Sequence, residues 1–114
     1  MIAQIRTTSW IAAALAAVIF ALAASDRAGA VPRSVTVDVK EFAFHPGSVT
    51  VARGTTVTWL NDDEEPHTIT STEGIFKSEA VESAGRFSYT FATPGTYHYF
   101  CALHPHMRAD VIVR

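Results

Sequence analysis

Cysteine is almost absent from this chain of 114 residues. Cys101 stands alone, which excludes an internal disulfide framework and any centre that needs two bridging thiolates. Basic residues are few and scattered, nine lysines and arginines in all, so no clustered basic surface of the kind that binds nucleic acid is expected. Internal repeats, low-complexity tracts and long linkers are missing, and beyond residue 30 no segment has a convincing helical period. These absences leave one small domain built from strands.

Long apolar stretches are confined to the N-terminus. Trp10 to Ala24 is a run of fifteen residues without a polar side chain, followed by Asp26 and Arg27 and then by the small-x-small pattern Ala28-Gly29-Ala30. As a helix the run spans roughly 22 Å, short of the ~30 Å hydrocarbon core. The reading is a cleaved export signal over residues 1–30 in preference to a membrane anchor, with no stable membrane insertion afterwards. A mature domain over residues 31–114 then carries seven basic and ten acidic residues, net −3. Export implies the periplasm, an oxidising compartment in which a lone thiol needs a reason to exist: burial, intermolecular pairing or a metal.

The mature segments alternate as strands do. Ser34 to Lys40 places Val35, Val37 and Val39 on one face; a second strand is expected over Ser48 to Arg53 and a third over Thr55 to Asn61, rich in β-branched and aromatic residues. Further strands are expected at His67 to Ser71, at Arg86 to Phe91, from Thr96 into Cys101 and at Ala109 to Arg114, with a short edge strand near Ile75 to Ser78. Pro46-Gly47, Gly54 and Pro94-Gly95 mark turns. Seven or eight short strands at near-regular spacing predict an all-β fold, an antiparallel β-sandwich whose end loops can hold ligands rigidly.

Against this background Phe100-Cys101-Ala102-Leu103-His104-Pro105-His106-Met107 packs a thiolate, two imidazoles and a thioether into eight residues. Upstream, Glu65-Pro66-His67-Thr68 offers another imidazole. One soft thiolate, two imidazoles and a weak thioether form the ligand set of a type 1 copper site, and the spacing Cys-x2-His-x2-Met lets turns fold the side chains towards one metal. The candidate metal ligands are His67, Cys101, His104 and Met107. His104 is preferred to His106, because Cys-x4-His-Met leaves no residue between His and Met. His98 has the opposite strand parity from Cys101 and His45 lies in a turn, so both are expected to be structural or solvated.

Pro66-His67-Thr68, Pro94 to Cys101 and His104-Pro105-His106-Met107 resemble the plastocyanin-type cupredoxins, and the short ligand loop most resembles that of the amicyanins. The resemblance runs over nearly all of residues 35 to 114. It implies an eight-stranded Greek-key β-sandwich with one type 1 copper ion held by His67, Cys101, His104 and Met107, and His104 near the surface as the electron port. Two positions depart from the pattern: Ala109, where many relatives carry glycine, and His106, where amicyanin-like loops often carry an apolar residue.

The function this implies is single-electron shuttling between a protein donor and a protein acceptor by a periplasmic monomer. Multicopper enzymes carry a histidine directly beside the copper-bound cysteine, whereas Cys101 is flanked by Phe100 and Ala102, so catalysis is not expected. Copper carriage or buffering without a redox role is the alternative, disfavoured by a single methionine beyond the initiator. Zinc fits less well, since a thioether is a poor zinc ligand. The acidic run Asp62 to Glu65 reads as a solvated loop, with an acidic docking patch as the sharper alternative. Asn61 and Thr68 are candidates for hydrogen bonds between the ligand loops, with a plain strand-end role as the alternative. Tyr97 is expected to pack in the core.

Overall fold

The computed structural model describes residue 3 and residues 33–114, so the export-signal reading of residues 1–30 falls, apart from Ala3, outside the described residues. The chain divides into two units, Met1–Ala30 and Val31–Arg114, and the architecture below is that of the second.

Alternation in the sequence becomes alternation in burial. In β1 (Ser34–Lys40) Val37 and Val39 are buried while Asp38 and Lys40 face solvent, and in β4 (Thr55–Asn61) every second residue, Thr55, Val57, Trp59 and Asn61, is buried. The other strands are β2 (Ala43–His45), β3 (Ser48–Val51), β5 (Thr70–Ser71), β6 (Arg86–Phe91), β7 (Gly95–Phe100) and β8 (Arg108–Val113). They form two four-stranded sheets, in the orders β2-β1-β4-β6 and β3-β8-β7-β5. The inner faces share one core, in which Trp59 packs against Phe76, Phe87, Phe91 and Tyr99. On the outer face of the first sheet, Thr56 bonds Thr90 and Thr58 bonds Ser88, each pair 2.7 Å apart and directly opposite in register, a cross-strand lock that apolar residues there would not supply.

The eight-stranded sandwich implied by the resemblance is the one found, but it is not purely antiparallel. β1 pairs parallel with β4, and β3 pairs parallel with β8. Between β1 and β4 the chain visits the other sheet as β3, and only strands joined directly by a hairpin are forced to run in opposite directions. The stretch expected as a strand from His67 to Ser71 is regular only at Thr70–Ser71, and no strand forms at Ile75 to Ser78. That region is tied instead by isolated bridges, His67 to Val81 and Thr70 to Lys77. The expected strand over Ser48 to Arg53 ends at Val51, and β2 is an additional strand that sequence reading left as a lead-in.

Three connections meet at one end of the sandwich: the β1–β2 turn, the segment after β4 and the β7–β8 loop. Asp62 N–H donates to Val39 O across 2.8 Å and draws the second of these against the first.

Candidate metal centre

The β7–β8 loop owes its shape to backbone bonds between the residues of the Cys-x2-His-x2-Met motif. His104 N–H donates to Cys101 O at 3.2 Å, Met107 N–H to His104 O at 2.9 Å, and Cys101 N–H to Met107 O at 3.1 Å. Two intervening residues are what an i to i+3 turn requires, so the spacing is two consecutive turns closed by a third bond. Cys101 and Met107 come out buried and His104 half-buried.

His67 reaches the same place from the segment after β4, held by its bridge to Val81 and fully buried. One donor atom from each of His67, Cys101 and His104 lies within 4.8 Å of the others. Cys101 Sγ is 3.8 Å from His67 Nδ1 and 3.6 Å from His104 Nδ1. A metal about 2.0 Å from nitrogen and about 2.3 Å from sulfur, with angles between tetrahedral and trigonal, separates those donors by roughly 3.5–3.7 Å. The cluster therefore fits an ion at its centre. A single thiol proton cannot satisfy both imidazoles, whereas an ion can.

Hydrogen bonds tie the donor segments to one another. Thr68 N–H donates to Cys101 Sγ at 3.3 Å, and Thr68 Oγ1 accepts from Ala102 N–H at 2.7 Å. Thr68 thus joins the two ligand segments, as sequence reading allowed. Asn61 does not reach Cys101; its amide donates to Glu65 O and Val81 O, and its oxygen accepts from Asp63 N–H, bracing the segment that carries His67.

Asp63 is the functional residue that sequence reading passed over. The acidic run is not uniform: Asp62, Glu64 and Glu65 are exposed, while the Asp63 side chain is only 13% exposed and accepts from His67 Nε2 at 2.8 Å. It also accepts from Glu41 N–H at 2.7 Å and Phe42 N–H at 3.0 Å. Partial burial pushes this carboxyl up, but the Phe42 and Glu41 amides, then the hydrogen bond and charge of His67, hold it below the ordinary carboxylate value. An ionised carboxylate only accepts, so the His67 proton sits on Nε2 and Nδ1 turns its lone pair to the cluster. An acid four residues before a candidate ligand histidine was the available signal, hidden among like neighbours.

Phe42 was missed without any signal in the sequence. Its ring meets His67 at 5.3 Å and His104 at 5.0 Å between centroids, both nearly edge-on. Glu41 and Phe42 have φ of 55° and 54°, a left-handed pair that costs bulky residues about 1–2 kcal/mol each. The remaining histidines stay apart. His45 Nε2 bonds Lys40 O, His98 is paired with Asp110 on the exposed face, and the His106 ring is exposed, 6.4 Å from that of His104. Tyr97 is half-buried against the core. Burial pushes the Tyr99 hydroxyl well up, with Trp59 opposing and Asp110 adding to the shift.

Comparison with known proteins decides the family. The sequence profile of the cupredoxin-like domain matches residues 12–113. The chain is a cupredoxin. Amicyanin-alpha of Methylorubrum extorquens is 34% identical over 114 residues, covering 90% of this chain and 94% of that protein. Amicyanin of Paracoccus versutus is 34% identical over 85 residues, 70% of this chain and 64% of the relative; the chain thus spans just under two thirds of that relative's length. Plastocyanin of Scenedesmus fuscus is 35% identical over 78 residues, 59% of this chain and 80% of that one. Among solved structures, the Cu(I) form of an amicyanin methionine-to-alanine variant superposes with a TM-score of 0.69 at 30% identity, covering 76% of this cupredoxin and 88% of that chain. The cofactor of this cupredoxin is copper.

Proposed function

We propose that this cupredoxin is a type 1 copper electron shuttle of the periplasm, its metal held by His67 Nδ1, Cys101 Sγ, His104 Nδ1 and, as weak axial ligand, Met107. The observation that carries the reading is the trio of donor atoms within 4.8 Å, two from buried residues and one from the half-buried His104, fixed by segments at one end of a packed sandwich. When bound, copper supplies a one-electron couple, Cu(I)/Cu(II), whose two states prefer different geometries.

The residues of the chain hold one compromise geometry for both. The three backbone bonds of the Cys101–Met107 loop keep its donors in place. Thr68 N–H donates to the sulfur and disperses thiolate charge. Asp63 keeps the His67 proton at Nε2, so Nδ1 needs no rearrangement. A frame that moves little between oxidation states keeps electron transfer fast. Of the two histidines His104 alone is partly exposed, which suits it as the point where electrons enter and leave by contact with a protein donor and then a protein acceptor.

Catalysis is not part of this reading. Residues 1–30 serve as an export signal removed after Ala30, leaving a monomeric domain.

Repeated reduction and reoxidation in the presence of a Cu(I)-selective chelator tests the reading. The shuttle keeps its copper through every cycle and recovers its full visible absorbance. Transfer of the copper to the chelator at the first reduction is the behaviour of a copper carrier or buffer, and would replace this function with that one.

A further inference from the structure

The β1–β2 hairpin closes with Lys40 opposite Ala43, leaving Glu41 and Phe42 as a two-residue loop with positive φ at both positions. That is a type I′ geometry, for which Asn-Gly is the favoured pair because glycine has no Cβ to clash. A glutamate and a phenylalanine are poor choices by the rules of the turn. The turn is held from outside. One Asp63 oxygen accepts from Glu41 N–H at 2.7 Å, and the other accepts both Phe42 N–H at 3.0 Å and His67 Nε2–H at 2.8 Å. The Phe42 ring, 42% exposed, has no place in the core, yet it stands edge-on to both His67 and His104, whose own centroids are 5.0 Å apart. A local rule broken where two metal-site imidazoles share a neighbour points to a role in the site.

We propose that Phe42 is a positioning residue of the copper centre, a strut latched by Asp63 that holds the half-buried His104 against His67. His67 needs the strut least: it is fully buried and bonded directly by Asp63. His104 projects from a loop, and no hydrogen-bond partner besides Cys101 Sγ is found for its ring among the described residues. Asp63 thereby acts on His104 through Phe42. The inference rests on the ligand assignment proposed above.

A turn optimum and a site optimum should conflict, and the double variant Glu41→Asn/Phe42→Gly separates them. If Phe42 served only the fold, Asn-Gly would improve the turn and leave the centre alone. As a strut, its loss leaves the metal-free protein at least as heat-stable as wild type. Copper is then stripped by a chelator about 10-fold faster or more, the scale on which metal sites lose affinity when outer partners are removed. The visible spectrum shifts, and the His104 ring-proton resonances of the metal-free protein move. Phe42→Leu, which keeps an apolar body over the imidazoles, restores most of the copper retention. A wild-type protein that takes up copper, with a double variant identical to it in spectrum, stripping rate and His104 resonances, overturns the strut alone. A wild-type protein that takes up no copper overturns it together with the ligand assignment.

Discussion

Asp63 receives hydrogen bonds from Glu41, Phe42 and His67, and the carboxylate form is the one they favour. Its pKa is accordingly depressed in the fold, so its contribution to stability is fully present above the unfolded value of about 3.9 and is lost as pH falls through the lower folded value. Asp63→Asn lacks this contribution at neutral pH. Chemical denaturation of the metal-free proteins across the acid range should show the wild type more stable at pH 7 and the gap closing below about pH 4. A gap that stays constant with pH would mean that the carboxylate charge plays no part. At this scale the candidate ligands were legible because a type 1 copper set calls for particular side chains, and Cys101, His104 and Met107 stand at its spacing. Asp63 looked like its neighbours Asp62, Glu64 and Glu65. Phe42 was invisible, because nothing in a sequence says that a turn residue has a positive φ or that its ring lies on two histidines from distant segments.

Among the elements, β1, β4 and β6 matched their expected bounds, since strict alternation over six or seven residues marks both the strand and its buried face. The region from His67 to Val81 resisted, because bridges at His67 and Thr70 replace a continuous ladder there. The parallel pairings escaped for a related reason: alternation identifies the inner face of a strand but not its neighbour. Burial in β6 and β7 also separates the fold from the site. Phe91 is 1% exposed and packs on Phe76, Tyr89 and Tyr97 at the end of β4 opposite to the ligand segments, beside Thr55. Phe91→Ala should cost about 3–5 kcal/mol in denaturant unfolding while leaving the visible spectrum of the copper-loaded protein unchanged. A spectral shift would show that the far end of the core and the centre are mechanically coupled.

In the whole domain, two sheets share one aromatic core, and the loops at one end carry the residues assigned to the proposed copper site. The sandwich supplies stiffness, the Cys101–Met107 loop supplies turns whose length matches the ligand spacing, and the acidic segment supplies the carboxylate that fixes His67. In the proposed reading these parts together hold one copper ion through the Cys101 thiolate. The visible absorption spectrum of the Cu(II)-loaded domain from Val31 to Arg114, set beside that of Cys101→Ser, tests it most directly. An intense blue thiolate-to-copper band in the first, abolished in the second, is the predicted result for this ligand set. A colourless Cu(II)-loaded protein, or a band that survives the loss of the Cys101 sulfur, would contradict it.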